Sequence, residues 1–142
     1  MLIFLSTDCD NSDDLAKRAD VALRLTGKPL IKEIKKKESG APYCDDYYLS
    51  VTHTDGVVML ALSDKPVGID AEKSDRKVPE TMKDIFNWTA YEAKCKLSGD
   101  GIKLSEVRAG GDYTDGVSFH TFLRGYVLAI AGGNKDLFVV CV

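Results

Sequence analysis

The stretch Val67-Gly68-Ile69-Asp70-Ala71-Glu72-Lys73 decides how this chain is read. Its apolar residues alternate with polar or small ones, the pattern of a β-strand. Successive side chains of a strand point to opposite faces. Val67, Ile69 and Ala71 therefore share one face, and Asp70 and Glu72 the other. Two carboxylates side by side on a mostly apolar strand repel each other unless a cation lies between them. Oxygen-only ligands suit Mg²⁺ or Mn²⁺. The same spacing also fits the exposed polar face of an edge strand.

Outward from this strand, the chain alternates short strand and helix signals. Residues 2–6 form an apolar strand. The acidic cluster Asp10–Asp14 suits a helix N-terminus, and Leu15, Ala19, Ala22 and Leu23 follow at helical spacing. Gly27 and Pro29 end that helix. Residues 30–37 read as an extended segment with a charged face, and 38–43 as a turn. Asp55-Gly56 between the β-type runs 47–54 and 57–62 is a hairpin signal. A second helix is expected from Pro79 through about residue 98, broken near Asn87, with Met82, Ile85, Phe86, Ala93 and Leu97 as its apolar stripe. Residues 98–116 read as a long loop holding one short strand. Strands at 117–123, 126–131 and 137–142 close the chain.

Thr52, Gly56, Val58 and Met59 match Thr121, Gly125, Val127 and Leu128 at one fixed offset. The expectation is an α+β fold in a single domain, 1–142. It holds two similar halves, about 1–66 and 67–142, with a cleft between them.

In Trp88–Lys96 (WTAYEAKCK), Trp88, Glu92 and Lys96 fall on one helix face. A carboxylate and an ammonium one turn apart can hold a metal ion and neutralise a phosphate. Thr89 and Glu92 also match a capping box, and Glu92–Lys96 a helical ion pair. His53 shares a strand face with Leu49 and Val51, while Ser50, Thr52 and Thr54 share the other. His53 reads either as a structural group or as a phosphate contact. The run 32–37 holds four lysines, a solvated edge or a phosphate attractor.

The 142 residues carry a formal net charge of −3, which disfavours sequence-independent nucleic-acid binding. The four cysteines, Cys9, Cys44, Cys95 and Cys141, form no CxxC pair and read as reduced thiols. The N-terminal apolar run is too short for a signal or membrane helix, so a cytoplasmic protein with no membrane partner is expected. Walker A, GxGxxG and GxSxG motifs are absent from the sequence.

In their order, Gly40–Pro42, Ser50–Gly56, Val67–Glu72 and Trp88–Lys96 resemble the 4′-phosphopantetheinyl transferases of the pseudodimeric type that activates peptide synthetases. The matching family elements are GKP, a serine–histidine–serine element, GIDIE and W(S/T)xxEAxxK. The correspondence covers residues 40–98. It implies transfer of phosphopantetheine from coenzyme A to a serine of an acyl or peptidyl carrier protein, with release of 3′,5′-ADP. It implies Asp70, Glu72 and Glu92 as Mg²⁺ (or Mn²⁺) ligands, with Glu92 a candidate base and Lys96 a phosphate contact that assists the leaving group. It further implies that His53, Thr52, Gly40 and Pro42 contact coenzyme A. Ala41 stands where the family has lysine, a loss that Lys36 or Lys37 could offset. The segment from Glu72 to Trp88 is shorter than in the family. A two-half chain is expected to work as a monomer. The alternatives are a non-catalytic binder of coenzyme A or carrier protein with the same fold, and an unrelated metal-dependent phosphate-ester enzyme.

Overall fold

A computed structural model describes residues 1–9 and 11–142; Asp10, part of the expected acidic cluster, lies outside the described residues. The chain is a mixed α+β fold with strands β1 (Leu2–Ser6), β2 (Lys35–Lys36), β3 (Pro42–Tyr43), β4 (Tyr48–Thr54), β5 (Val57–Ser63), β6 (Val67–Lys73), β7 (Val117–His120), β8 (Tyr126–Gly132) and β9 (Phe138–Cys141). Its helices are α1 (Ser12–Leu25) and α2 (Ile85–Ser98), with a 3-10 turn at Leu104–Glu106.

Two sheets carry the architecture. One has the order β4-β5-β1-β9 and the other β6-β8-β7, while β2 and β3 form a small ribbon apart. The units β1-α1-β4-β5 and β6-α2-β7-β8 run in the same order. In each, the second hairpin strand lies between its partner and the opening strand, antiparallel to both. The last strand crosses between units. β9 pairs in parallel with β1, from Leu2↔Phe138 to Leu5↔Cys141, and covers an edge that would otherwise be open.

The layers follow from side-chain alternation. Phe4, Val58, Leu60 and Leu62 turn outward to Leu15, Ala19 and Leu23 of α1. Ile3, Leu5, Met59 and Ala61 turn inward and meet Ile69, Ala71, Leu128 and Ile130 of the second sheet. Ala129 and Ala131 face Ala93 of α2 on the far side. The β4–β5 hairpin turns at Asp55-Gly56, both at positive φ (+29° and +81°), as a two-residue loop requires.

Local departures from expectation have identifiable causes. α2 begins at Ile85, because the Asp84 side chain caps it by accepting from the Asn87 amide at 2.9 Å. Pro79–Met82 is instead a turn, and the helix runs through Asn87 without a break. Thr89 is therefore inside the helix, its hydroxyl donating to the Ile85 carbonyl at 2.6 Å, and the expected capping box with Glu92 does not form. The charged segment 30–37 contributes only two strand residues, and 98–116 holds a 3-10 turn in place of a strand.

Candidate metal and anion site

The site lies where β6, β4 and α2 meet. α2 approaches β6 closely because Gly68 has no side chain where the backbone of Ala93 and Leu97 packs; Ala93 is fully buried. This closeness brings Glu92 over the polar face of β6. Asp70, Glu72 and Glu92 are all buried, and each offers a carboxylate oxygen within 4.8 Å of the others. The convergence expected from two separate segments is therefore present. An exposed edge-strand face is ruled out for Asp70 and Glu72, which are 4% and 3% exposed.

Hydroxyls of β4 support these carboxylates. Thr52 Oγ1 donates to Asp70 Oδ1 at 3.1 Å, and Thr54 Oγ1 donates to Glu72 Oε2 at 3.2 Å. Ser50 Oγ and Thr52 Oγ1 also accept from the amides of Ile69 and Ala71, at 3.0 and 3.1 Å. The strand that supplies the carboxylates is thus tied to the first sheet by side chains.

Two cations flank the acids. Lys96 Nζ donates to Asp70 Oδ1 at 2.8 Å, and Arg76 bonds Glu72 Oε1. Three carboxylates so close cannot all ionise without further positive charge. Burial, reinforced by Asp70, pushes Glu92 up to about 8. Burial also raises Asp70, with Lys96 opposing the shift. Asp70 Oδ2 is buried and has no hydrogen-bond partner among the described residues. Three buried carboxylates with oxygens within 4.8 Å of one another are the donor set of a hard divalent cation, and the three residues fit such an ion.

A groove of about 330 Å³ reaches Lys96 from the other side, lined by Gly40, Ala41, Pro42, Leu49, Val51 and Ile102 among others. Gly40 and Pro42 thus share a cavity with Lys96. The remaining expected contacts do not join it. His53 is exposed on the face of β4 opposite Thr52. Thr52 is 2% exposed, and its hydroxyl serves Asp70 and Ala71, so it is a support for the acids and not a ligand contact. Lys36 lies in the exposed β2–β3 ribbon, opposite Pro42. Lys37 lines an adjoining cavity with Pro42, Asp45, Asp46 and Asp64, and its amide donates to the Ala41 carbonyl at 2.9 Å.

Arg76 and Thr54 were not singled out by sequence reasoning. Thr54 was signalled by its shared face with Ser50 and Thr52. Arg76 follows the strand in a turn, where no periodicity marks it. All four cysteines are free thiols. Among the described residues, no helix is long and apolar enough to cross a membrane. No protein-family model and no curated protein matches this chain.

Proposed function

We propose that this protein transfers the 4′-phosphopantetheine group of coenzyme A to a serine of an acyl or peptidyl carrier protein, with Mg²⁺ held by Asp70, Glu72 and Glu92. The observation that carries this reading is the meeting of those three carboxylates beside Lys96, at the end of a groove lined by Gly40 and Pro42. A divalent ion bound there supplies positive charge to a diphosphate. Lys96 stands at the groove's end of the site, where it can hold a phosphate and stabilise the departing 3′,5′-ADP. The serine Oγ forms a bond to the phosphorus that carries pantetheine, and the bond from that phosphorus to the bridging oxygen breaks. The serine proton passes to the Glu92 carboxylate.

One observation favours a second reading, a non-catalytic binder of coenzyme A or carrier protein. Among the described residues, Lys96 is the one charged group lining the groove, because Ala41 occupies the turn beside it.

Intact-mass analysis of a panel of carriers incubated with the protein, coenzyme A and Mg²⁺ separates these readings. The transferase adds one phosphopantetheine mass to a carrier, and chelation of Mg²⁺ stops it. The Asp70→Ala variant should fold and lose transfer. Undiminished turnover in that variant refutes the metal assignment, whereas binding of coenzyme A without any modified carrier supports the second reading.

A further inference from the structure

We infer that Arg76 is a second anion-binding residue of this site, holding a phosphate of a diphosphate-bearing substrate from the side opposite Lys96. The inference rests on the phosphoryl-transfer reading above and assigns the site a contact which that reading does not contain.

Arg76 is held in place. The chain turns back directly after β6, with the Arg76 amide donating to the Lys73 carbonyl at 3.1 Å and the Ser74 amide to the Gly125 carbonyl at 2.9 Å. This turn sets the guanidinium on Glu72, a carboxylate whose side chain is only 4% exposed, while the Arg76 side chain itself is 50% exposed. A guanidinium carries five N–H donors in a fixed fork. Among the described residues, Glu72 is the one acceptor that Arg76 bonds. The half-exposed side chain thus keeps further donors that no described residue accepts.

Position adds to this. Asp70 and Glu72 lie two residues apart on one strand face, about 7 Å along the strand. Lys96 bonds the first and Arg76 the second. The two cations are thus held by different acids of the same cluster.

Charge points the same way. With all three carboxylates ionised, the acids carry −3 and the two cations +2. A divalent ion brings the cluster to +1, and an anion then neutralises it. If Arg76 served only to neutralise Glu72, that ion would make it redundant. A half-exposed guanidinium beside a loaded metal site is instead free to fork onto phosphate oxygens, the geometry arginine favours.

The test is calorimetric titration of coenzyme A, with Mg²⁺ present, into wild type, Arg76→Gln and Arg76→Lys, beside titration of Mg²⁺ alone. A lost charge-assisted contact weakens coenzyme A binding by about tenfold to a hundredfold in Arg76→Gln. Arg76→Lys retains charge without the fork and falls between. Mg²⁺ affinity should hold or rise in Arg76→Gln, because a competing cation has left Glu72, and hold in Arg76→Lys. Wild-type affinity for coenzyme A in Arg76→Gln overturns the inference and leaves the transferase reading standing. Parallel loss of Mg²⁺ and coenzyme A binding also overturns it, by showing that Arg76 supports the metal ligands alone. If Arg76→Gln does not fold, Arg76→Lys decides, and unchanged coenzyme A affinity there counts against the fork. A wild type that binds no coenzyme A refutes the transferase reading and this inference together.

Discussion

Gly68→Ala adds one methyl group to the strand that bears Asp70, and the structure sets its consequence. A Cβ at position 68 would lie 2.0 Å from the Ala93 carbonyl oxygen, 2.5 Å from the Leu97 amide nitrogen and 3.0 Å from the Leu97 Cα. All three are backbone atoms of α2, so no side-chain rotation relieves the contact. The helix must withdraw by roughly 1 Å before the first distance becomes tolerable. Gly68 is not at positive φ, and an unstrained Gly→Ala change stabilises by about 0.4–1 kcal/mol through the unfolded chain. Overpacking opposes this at about 3 kcal/mol, the upper end of its usual range, because backbone yields less than side chains. The net loss of about 2 kcal/mol corresponds to a fall of roughly 5–10 °C in Tm for a chain of this length.

The functional effect should exceed the stability effect. Glu92 and Lys96 ride on the displaced helix, whereas Asp70 and Glu72 stay on the strand. A misplacement of about 1 Å at a reacting centre can lower a rate by about a hundredfold. Calorimetric unfolding, Mg²⁺ titration and transfer assays on the same variant test the argument. A Gly68→Ala protein with Tm at or above wild type and intact Mg²⁺ affinity would show that α2 does not need this close approach, and the account of the site would fail.

Two further expectations concern the acids and their supports. Glu92 has a folded pKa of about 8 against 4.5 for the free group, so between these values the unfolded chain has lost a proton that the native one keeps. Stability of the metal-free protein should therefore fall as pH rises from about 4.5 to about 8, by at most about 1.4 kcal/mol per unit. Mg²⁺ should abolish the slope by displacing the proton, and Glu92→Gln should flatten it; urea melts at several pH values that show no slope in wild type contradict a native Glu92 that keeps its proton. Thr52→Val removes both a donor to Asp70 and the acceptor of the Ala71 amide, and should cost about 1–3 kcal/mol in urea unfolding. Thr52→Ser keeps the hydroxyl and should lose about 1 kcal/mol or less; equal stability of the valine variant and wild type would show that these bonds contribute nothing.

Much of the site was legible because its residues obey local periods. Asp70 and Glu72 alternate with buried Ile69 and Ala71, and Glu92 and Lys96 share a helix face. What the periods do not contain is which faces meet. The alternation in β4 separates His53 from Thr52 correctly. Only the packing of β4 against β6 shows that the hydroxyl face meets the acids and leaves His53 outside. The Thr89–Glu92 pattern suggested a helix start because capping boxes are short and degenerate. Asp84 caps the helix instead, so it starts at Ile85, runs unbroken through Asn87 and places Thr89 in its interior. The pairing of β9 with β1 joins the two chain ends, and no local signal encodes a contact of that sequence separation.

The seam between the sheets and the candidate site are the same structure. Ser50 and Thr52 accept the amides of Ile69 and Ala71, which β6 would otherwise leave without partners inside the fold. Thr52 and Thr54 then use their protons on Asp70 and Glu72. Each threonine thus orients a carboxylate from the side, while α2 closes over it from above. A buried cluster of three acids opposes folding when empty, since its charges are desolvated and repel. The hydroxyls, Lys96 and Arg76 offset part of that penalty, and the proton held by Glu92 offsets more. Three carboxylates within ligand reach at the junction of the two sheets give this fold the donor set that a divalent cation takes.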